Sequence, residues 1–166
     1  LDQHRLDGVK LTAAAFTNLG RDHMDYHPTV EHYLAAKLRL FQELLAPGQP
    51  AVVNVDGAFA REVVSAAMRR GLEVMTVGRR GSLLHLASAR MDGFAQVLTV
   101  DHLGRSHEVR LPLVGAYQVE NALTAAGLTI AAGEYPGKVL AALSGLKGVP
   151  GRLEIVGSAK GGLAVV

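Results

Sequence analysis

The sequence has no cysteine and no tryptophan. Without cysteine there are no disulfides and no thiolate metal ligands. Aromatic residues make up only 5% of the chain, so alanine, leucine and valine have to build the core. There is no run of basic residues: the longest clusters are Arg69-Arg70 and Arg79-Arg80. Net charge is only +2, from 17 basic and 15 acidic residues. That balance argues against a nucleic-acid partner. No apolar stretch reaches the roughly 18 residues of a membrane span, and no secretory leader is visible. A cytoplasmic protein without membrane contact is expected. Neither G-x-x-x-x-G-K-[ST] nor G-x-G-x-x-G occurs, so these residues lack the usual nucleotide-phosphate cradle. No Ser-His-Asp arrangement can be argued either.

Hydrophobic residues account for 49% of the 166 residues and charged residues for 19%. That suits one folded domain, or one domain with part of another. The chain opens on Leu1 rather than methionine and closes on GGLAVV, which reads as a strand. A piece of a longer protein is the expectation.

The stretch from Phe16 to Phe41, FTNLGRDHMDYHPTVEHYLAAKLRLF, organises the rest. Residues 11–19 are apolar, as a strand buried on both faces is. A polar run follows, with Asp22, His23, Asp25 and His27 close together. Pro28 suits a first helical position, with Thr29 or His27 as cap. Glu31 complements the helix dipole. The spacing of Leu34, Leu38, Phe41 and Leu45 predicts a helix to about Leu45, ended by Pro47-Gly48. A strand leading through a charged loop into a helix is where open α/β sheets place their sites.

Residues 51–55 read as a second buried strand, 58–70 as a helix with Gly71 at its C-terminal cap, and 72–77 as a third strand. The order β-α-β-α-β predicts a mainly parallel sheet flanked by helices. From Leu83 to Leu113 three alternating strands, punctuated by Asp92-Gly93 and Leu103-Gly104, predict a small antiparallel meander. Helices over 117–132 and about 136–146 follow. KGVPGR reads as a hinge and 153–166 as a hairpin.

Two features carry possible chemistry. The D-H-x-D-x-H run can bind a divalent cation such as Mg²⁺, or can be a hydrated, capped loop. Lys37 lies among Ala35, Ala36, Leu38 and Leu40. An apolar setting disfavours its ammonium form. A neutral amine reacts with CO₂ to give a carbamate, an anion able to ligate metal. The plainer reading is a lysine snorkelling to solvent. Asn121 and Arg152 have the chemistry to hold a base edge and a phosphate, and each is equally at home on a surface.

The combination FTNL-x-x-DH-x-DYH followed by A-A-K-x-x-L-F resembles the central domain of the Mur ligases. Within that family it is most similar to the branch that adds the third residue of the muropeptide. GAYQVENALTAA and LKGVPGRLEIV resemble two later family segments in the expected order. The resemblance implies that residues 1–147 belong to the central, ATP-binding domain and 148–166 to the hinge and first strands of the C-terminal domain. It implies an ATP-dependent ligase of peptidoglycan synthesis. Such a ligase activates a UDP-MurNAc-dipeptide carboxylate as an acyl phosphate and joins it to diaminopimelate or lysine. Mg²⁺ is the implied cofactor, ATP the co-substrate and a monomer the expected state.

By the same resemblance His23 is a metal ligand, and Lys37 is a carbamylated residue near Mg²⁺ and the acyl phosphate. Asn18, Asn121 and Arg152 serve ATP, and Gln3 and Arg5 line the muropeptide. Asp22, Asp25 and His27 belong to the motif without separate roles. Pro28 stands where the family usually has glycine, and Gly20 where serine is common. GAYQVEN lacks the His-Asn pair of several sister ligases. The family's phosphate loop is expected upstream of Leu1 and its amino-acid-selecting domain downstream of Val166, so residues 1–166 alone are expected to be inactive. The rival readings are another muropeptide ligase, a folylpolyglutamate- or cyanophycin-type synthetase, a non-catalytic nucleotide-binding domain of this fold, and a structural metal-binding module.

Overall fold

The computed structural model describes residues 1, 4–19 and 29–149, and the backbone of 155–159 and 162–165. Its main sheet has six strands in sequence order: β1 (Ala14–Phe16), β2 (Pro50–Asn54), β3 (Glu73–Gly78), β4 (Leu84–Asp92), β5 (Ala95–His102) and β6 (Arg105–Leu111). Pairing is parallel from β1 to β4 and antiparallel from β4 to β6. This is the parallel sheet with an antiparallel meander expected from the hydrophobic pattern. A separate two-stranded antiparallel pair, β7 (Ile155–Ala159) and β8 (Gly162–Val165), accounts for the expected hairpin.

Helices cover both faces of the parallel half, as buried parallel strands require. On β2, Ala51 and Val53 point into one core and Val52 into the other, and all three are fully buried. The first core lies under α1 (Val30–Arg39) and α2 (Ala60–Arg70), with Phe41, Leu45 and Val63. The second lies under α3 (Ala116–Ala131) and α4 (Pro136–Ala142). There α3 buries Val119, Ala122, Leu123 and Ala126, a stripe of helical period. Gly127 brings α3 close to the sheet: a Cβ there would lie 2.8 Å from Val77 Cγ1 and 3.0 Å from Val52 Cγ1.

Several expectations are corrected. The strand expected over 11–19 is three residues long, because β1 has a ladder only with β2, over Ala14–Phe16. The helix expected to reach Leu45 keeps α geometry only to Arg39, and Leu40–Leu44 form a π-helical turn. Leu45 N–H donates to Leu40 O across it. Thr29 is the N-cap, its hydroxyl accepting His32 N–H at 3.2 Å. Pro28 lies outside the described residues. Leu34 and Leu38 are only half-buried, while Phe41 and Leu45 carry the core end of that stripe. The second helix begins at Ala60, not 58, because Phe59 sits in the left-handed region at φ 62°. The last helix is α-helical to Ala142 and closes in a 3₁₀ turn, Leu143–Gly145.

Candidate functional site

β1, β2 and β3 run parallel and so end on one side of the sheet. Their carboxyl ends deliver Thr17-Asn18, Asn54-Val55-Asp56 and Gly78-Arg79-Arg80 to one edge. The ends are stitched together. Asn54 Oδ1 accepts Asp56 N–H at 3.2 Å, and Asp56 Oδ2 accepts Arg79 N–H at 2.7 Å. Arg80 Nη2 donates to Val55 O at 2.9 Å. Gly78, at φ +117°, permits this closeness: a Cβ there would lie 2.6 Å from Asp56 Oδ2. Gly57 does the same between β2 and β1, where a Cβ would meet Thr17 O at 3.1 Å.

Lys37 and Asn18 share a cavity of about 70 Å³ at the end of β1. Leu1, Ala15, Phe16, Thr17, Leu40 and Phe41 complete its walls. The last full turn of α1 therefore sets Lys37 beside the strand end that carries Asn18. Lys37 is half-buried, and its Nζ lies 5.0 Å from the centroid of the Tyr33 ring. That ring face attracts the ammonium form. Of the apolar neighbours expected to surround Lys37, only Ala36 is buried, and Ala35 is exposed. A liquid water occupies about 30 Å³, so the cavity has room for a group the size of a carboxylate.

The donor set fits a hard cation on one condition. Thr17 and Asn18 offer neutral oxygens, which can complete the shell of a hard cation such as magnesium only beside anionic ones. Lys37 as an ammonium repels a cation, and as a carbamate supplies an anionic oxygen. Among the described residues no cluster of three or more His, Asp or Glu could hold a metal. His23, Asp22, Asp25 and His27 lie outside the described residues, as do Gln3 and Arg152.

Arg5 and Asn121 are not walls of the Lys37 cavity. Asn121 is exposed on the second turn of α3. Arg5 is exposed in the turn His4–Asp7, between two i to i+3 hydrogen bonds, His4 N–H to Leu1 O and Asp7 N–H to His4 O. The carboxyl of Asp7 is held below its ordinary value, first by the hydrogen bond with His4 and, after an opposing push from desolvation, by the Arg39 guanidinium.

Three groups escaped sequence reasoning. Arg39 is anchored at both ends of that N-terminal turn. Asn54 is 1% exposed and is the polar end of an otherwise apolar strand; an asparagine closing AVVN is a signal that could have been read. Gln96 is buried on β5, and its Nε2 donates to Leu113 O at 2.9 Å and Gly115 O at 3.1 Å. It fixes the loop from which α3 starts, and so the helix carrying Asn121.

Comparison with known proteins bears on the family and the fold. Residues 1–129 match the family model of the Mur ligase middle domain. The UDP-N-acetylmuramoyl-L-alanyl-D-glutamate–2,6-diaminopimelate ligase of Bradyrhizobium diazoefficiens is 54% identical over 165 residues, 97% of this chain and 34% of that protein. A solved ligase of the same name superposes with a TM-score of 0.82 at 29% identity, over 95% of this chain and 33% of the other. MurF from Thermotoga maritima, solved in complex with ADP, shares the fold alone, with a TM-score of 0.78 at 20% identity over 95% of this chain and 35% of that one. The chain thus spans about a third of the length of the relatives it matches. Among the described residues no helix is long and apolar enough to cross a membrane.

Proposed function

Because the chain belongs to the Mur ligase family, we propose that it forms part of an ATP-dependent ligase that joins 2,6-diaminopimelate to UDP-N-acetylmuramoyl-L-alanyl-D-glutamate. What carries the reading is the cavity that unites Lys37 with Asn18 at the carboxyl end of β1. The name of the Bradyrhizobium relative supports diaminopimelate over lysine as the amino acid. The protein works in the cytoplasm as a monomer. Residues 1–147 serve as central domain, and 148–166 as hinge and first strands of the next domain.

In this reading ATP phosphorylates the muropeptide carboxylate, and the amine of the amino acid displaces phosphate from the acyl phosphate to form the amide. Asn18 holds the nucleotide phosphates and Asn121 the adenine edge. Arg152 contacts ATP across the hinge. Gln3 and Arg5 align the muropeptide. Lys37, as its carbamate, and His23 would hold magnesium, which would supply positive charge to offset that of the transferring phosphoryl group. The ADP bound to the Thermotoga protein supports a nucleotide site on this fold.

The test uses the full-length protein. Phosphate release from ATP is followed with the UDP-MurNAc-dipeptide, once with diaminopimelate and once with lysine. Turnover with diaminopimelate is expected. Turnover with lysine alone overturns the amino-acid assignment. Silence with both in a protein that binds ATP sends the function to a sister ligase, and silence without ATP binding leaves a non-catalytic domain. Residues 1–166 alone are expected to form no amide.

A further inference from the structure

The Arg39 guanidinium reaches three acceptors on two elements. Its Nε donates to Glu43 Oε2 at 2.9 Å, one turn along its own helix. Its Nη2 donates to Asp7 Oδ1 at 3.2 Å, and its Nη1 donates to the Leu1 carbonyl. Leu1 and Asp7 are the two ends of the N-terminal turn, and Arg5 stands between them. Leu1 is also a wall of the Lys37 cavity. Only 17% of the Arg39 side chain is exposed, and its bond to the Leu1 carbonyl is partly shielded from competing water.

A purely structural surface arginine needs one carboxylate, and Glu43 at i+4 already provides it. The other two bonds span 38 and 32 residues of sequence and tie the N-terminal segment to the helix. Val9, in that segment, is exposed, and so is Leu6. A planar fork of donors suits this task, because it can hold a carbonyl and a carboxylate in one geometry.

We infer that Arg39 is a positioning residue that locks the turn carrying Arg5 against the helix carrying Lys37. This rests on the functional reading above. The turn then presents Arg5 at a fixed distance from the group that handles the activated carboxylate. A misplacement of about 1 Å at such a distance is enough to spoil alignment of reacting atoms.

The test compares variants of the full-length protein: Arg39→Gln, Arg39→Lys, Asp7→Asn, the pair Arg39→Gln with Asp7→Asn, and Glu43→Gln. The readouts are KM for the UDP-MurNAc-dipeptide, KM for ATP, kcat and Tm. Arg39→Gln, which loses the bonds to both Leu1 and Asp7, is expected to raise the muropeptide KM roughly tenfold, and Asp7→Asn, which leaves the Leu1 bond, by less. The double variant should be no worse than Arg39→Gln, because that change already removes the Asp7 contact. Arg39→Lys keeps the charge without the fork and should fall between. The ATP KM should stay within about twofold, and Glu43→Gln should leave both KM values unchanged, since it removes only the bond within the helix. Asp7 is 42% exposed, so Asp7→Asn tests the lock even if Arg39→Gln fails to fold. An active parent with an unaltered muropeptide KM in Asp7→Asn and Arg39→Lys overturns the inference alone. So does a rise that Glu43→Gln reproduces or that tracks Tm. A parent protein silent with the muropeptide overturns the functional reading and this inference with it.

Discussion

Asn54 Oδ1 accepts the backbone N–H of Asp56 at 3.2 Å, while Asn54 Nδ2 is buried with no partner among the described residues. Asp56 in turn accepts Arg79 N–H, and Gly78 leaves the room for it. The ends of β2 and β3 therefore depend on a residue without a Cβ. Gly78→Ala adds a Cβ 2.6 Å from Asp56 Oδ2 at a backbone φ of +117°. It should destabilise the fold by about 2–3 kcal/mol, from strain at positive φ plus displacement of the Asp56 carboxylate from Arg79 N–H. Urea denaturation of the variant against the parent checks this, and a loss below about 0.5 kcal/mol would mean the two strand ends adjust freely.

Lys37→Ala in the full-length protein should lower ligase turnover by on the order of 10²–10³-fold, the scale of losing one preorganised charge at a reacting phosphoryl group. Small carboxylic acids added to the assay should restore part of it, because the emptied cavity of about 70 Å³ gains further room. Lys37→Arg retains a cation, cannot form the carbamate and fills the space, so it should be equally slow and beyond rescue. Full activity in Lys37→Ala would remove Lys37 from the mechanism.

One source of acid sensitivity lies on the wet face of the meander. The carboxyl of Asp101 is held below its ordinary value of 3.8, first by the Ser106 hydroxyl and then by the hydrogen bond with His85, at 3.1 Å. A carboxyl depressed in the folded state binds its proton more weakly there than in the unfolded chain. Its stabilisation is present above the ordinary value and fades as pH falls through the lower folded one. Asp101→Asn should therefore flatten the decline in urea midpoint below about pH 4 while leaving the relative change between pH 6 and 8 untouched. An unchanged acid slope would show that the pair is fully screened by water.

Leu103 adopts φ +47° in the turn between β5 and β6, next to Gly104 at φ +77°. It is also 84% exposed. Both residues of such a hairpin turn need positive φ, and leucine is strained there where asparagine is tolerated. Leu103→Asn should stabilise the protein by about 0.5–1 kcal/mol and raise Tm by a few degrees. A lower Tm would mean that the leucine is covered by something outside the described residues.

The legible parts of this fold were those set by local periodicity. AVVN and the run into Val77 showed buried parallel strands. The alternation through β4, β5 and β6 showed the meander, and its two Gly turns lie where Asp92-Gly93 and Leu103-Gly104 placed them. Helix ends were less legible. Phe59 at positive φ and the π turn after Arg39 depend on how the chain packs, not on propensity. Among the described site residues, Lys37 and Asn18 were both named from sequence and found together. Arg39 and Gln96 were missed for a common reason, whereas Asn54 bonds only two residues along, to Asp56 N–H. Arg39 and Gln96 act through backbone groups distant in sequence, 38 residues away for Leu1 and 17 for Leu113. A single polar residue within an apolar run gives no local sign of which carbonyl it will meet.

Gln96 offers the sharpest test of such a distant contact. Its Nε2 supplies both hydrogens, one to Leu113 O and one to Gly115 O, so the start of α3 is tied to β5 by a single amide. Gln96→Met keeps the volume and strands the buried Leu113 carbonyl, while Gly115 O keeps its bond from Gln118 N–H, which should cost about 2 kcal/mol. Gln96→Glu is closer in shape and should be worse. It sets a carboxylate oxygen against those carbonyls, so the group has to take up a proton and still satisfies only one of them. Hydrogen exchange should report the effect locally: the Gln118 N–H bonded to Gly115 O should lose protection in both variants before the amides of β5 do. If Asn121 holds the adenine edge, the ATP KM of the full-length Gln96→Met protein should rise while the muropeptide KM stays fixed, the opposite pattern to Arg39→Gln. Equal protection at Gln118 and throughout β5 would show that α3 is seated by its apolar stripe alone, with Gln96 a bystander.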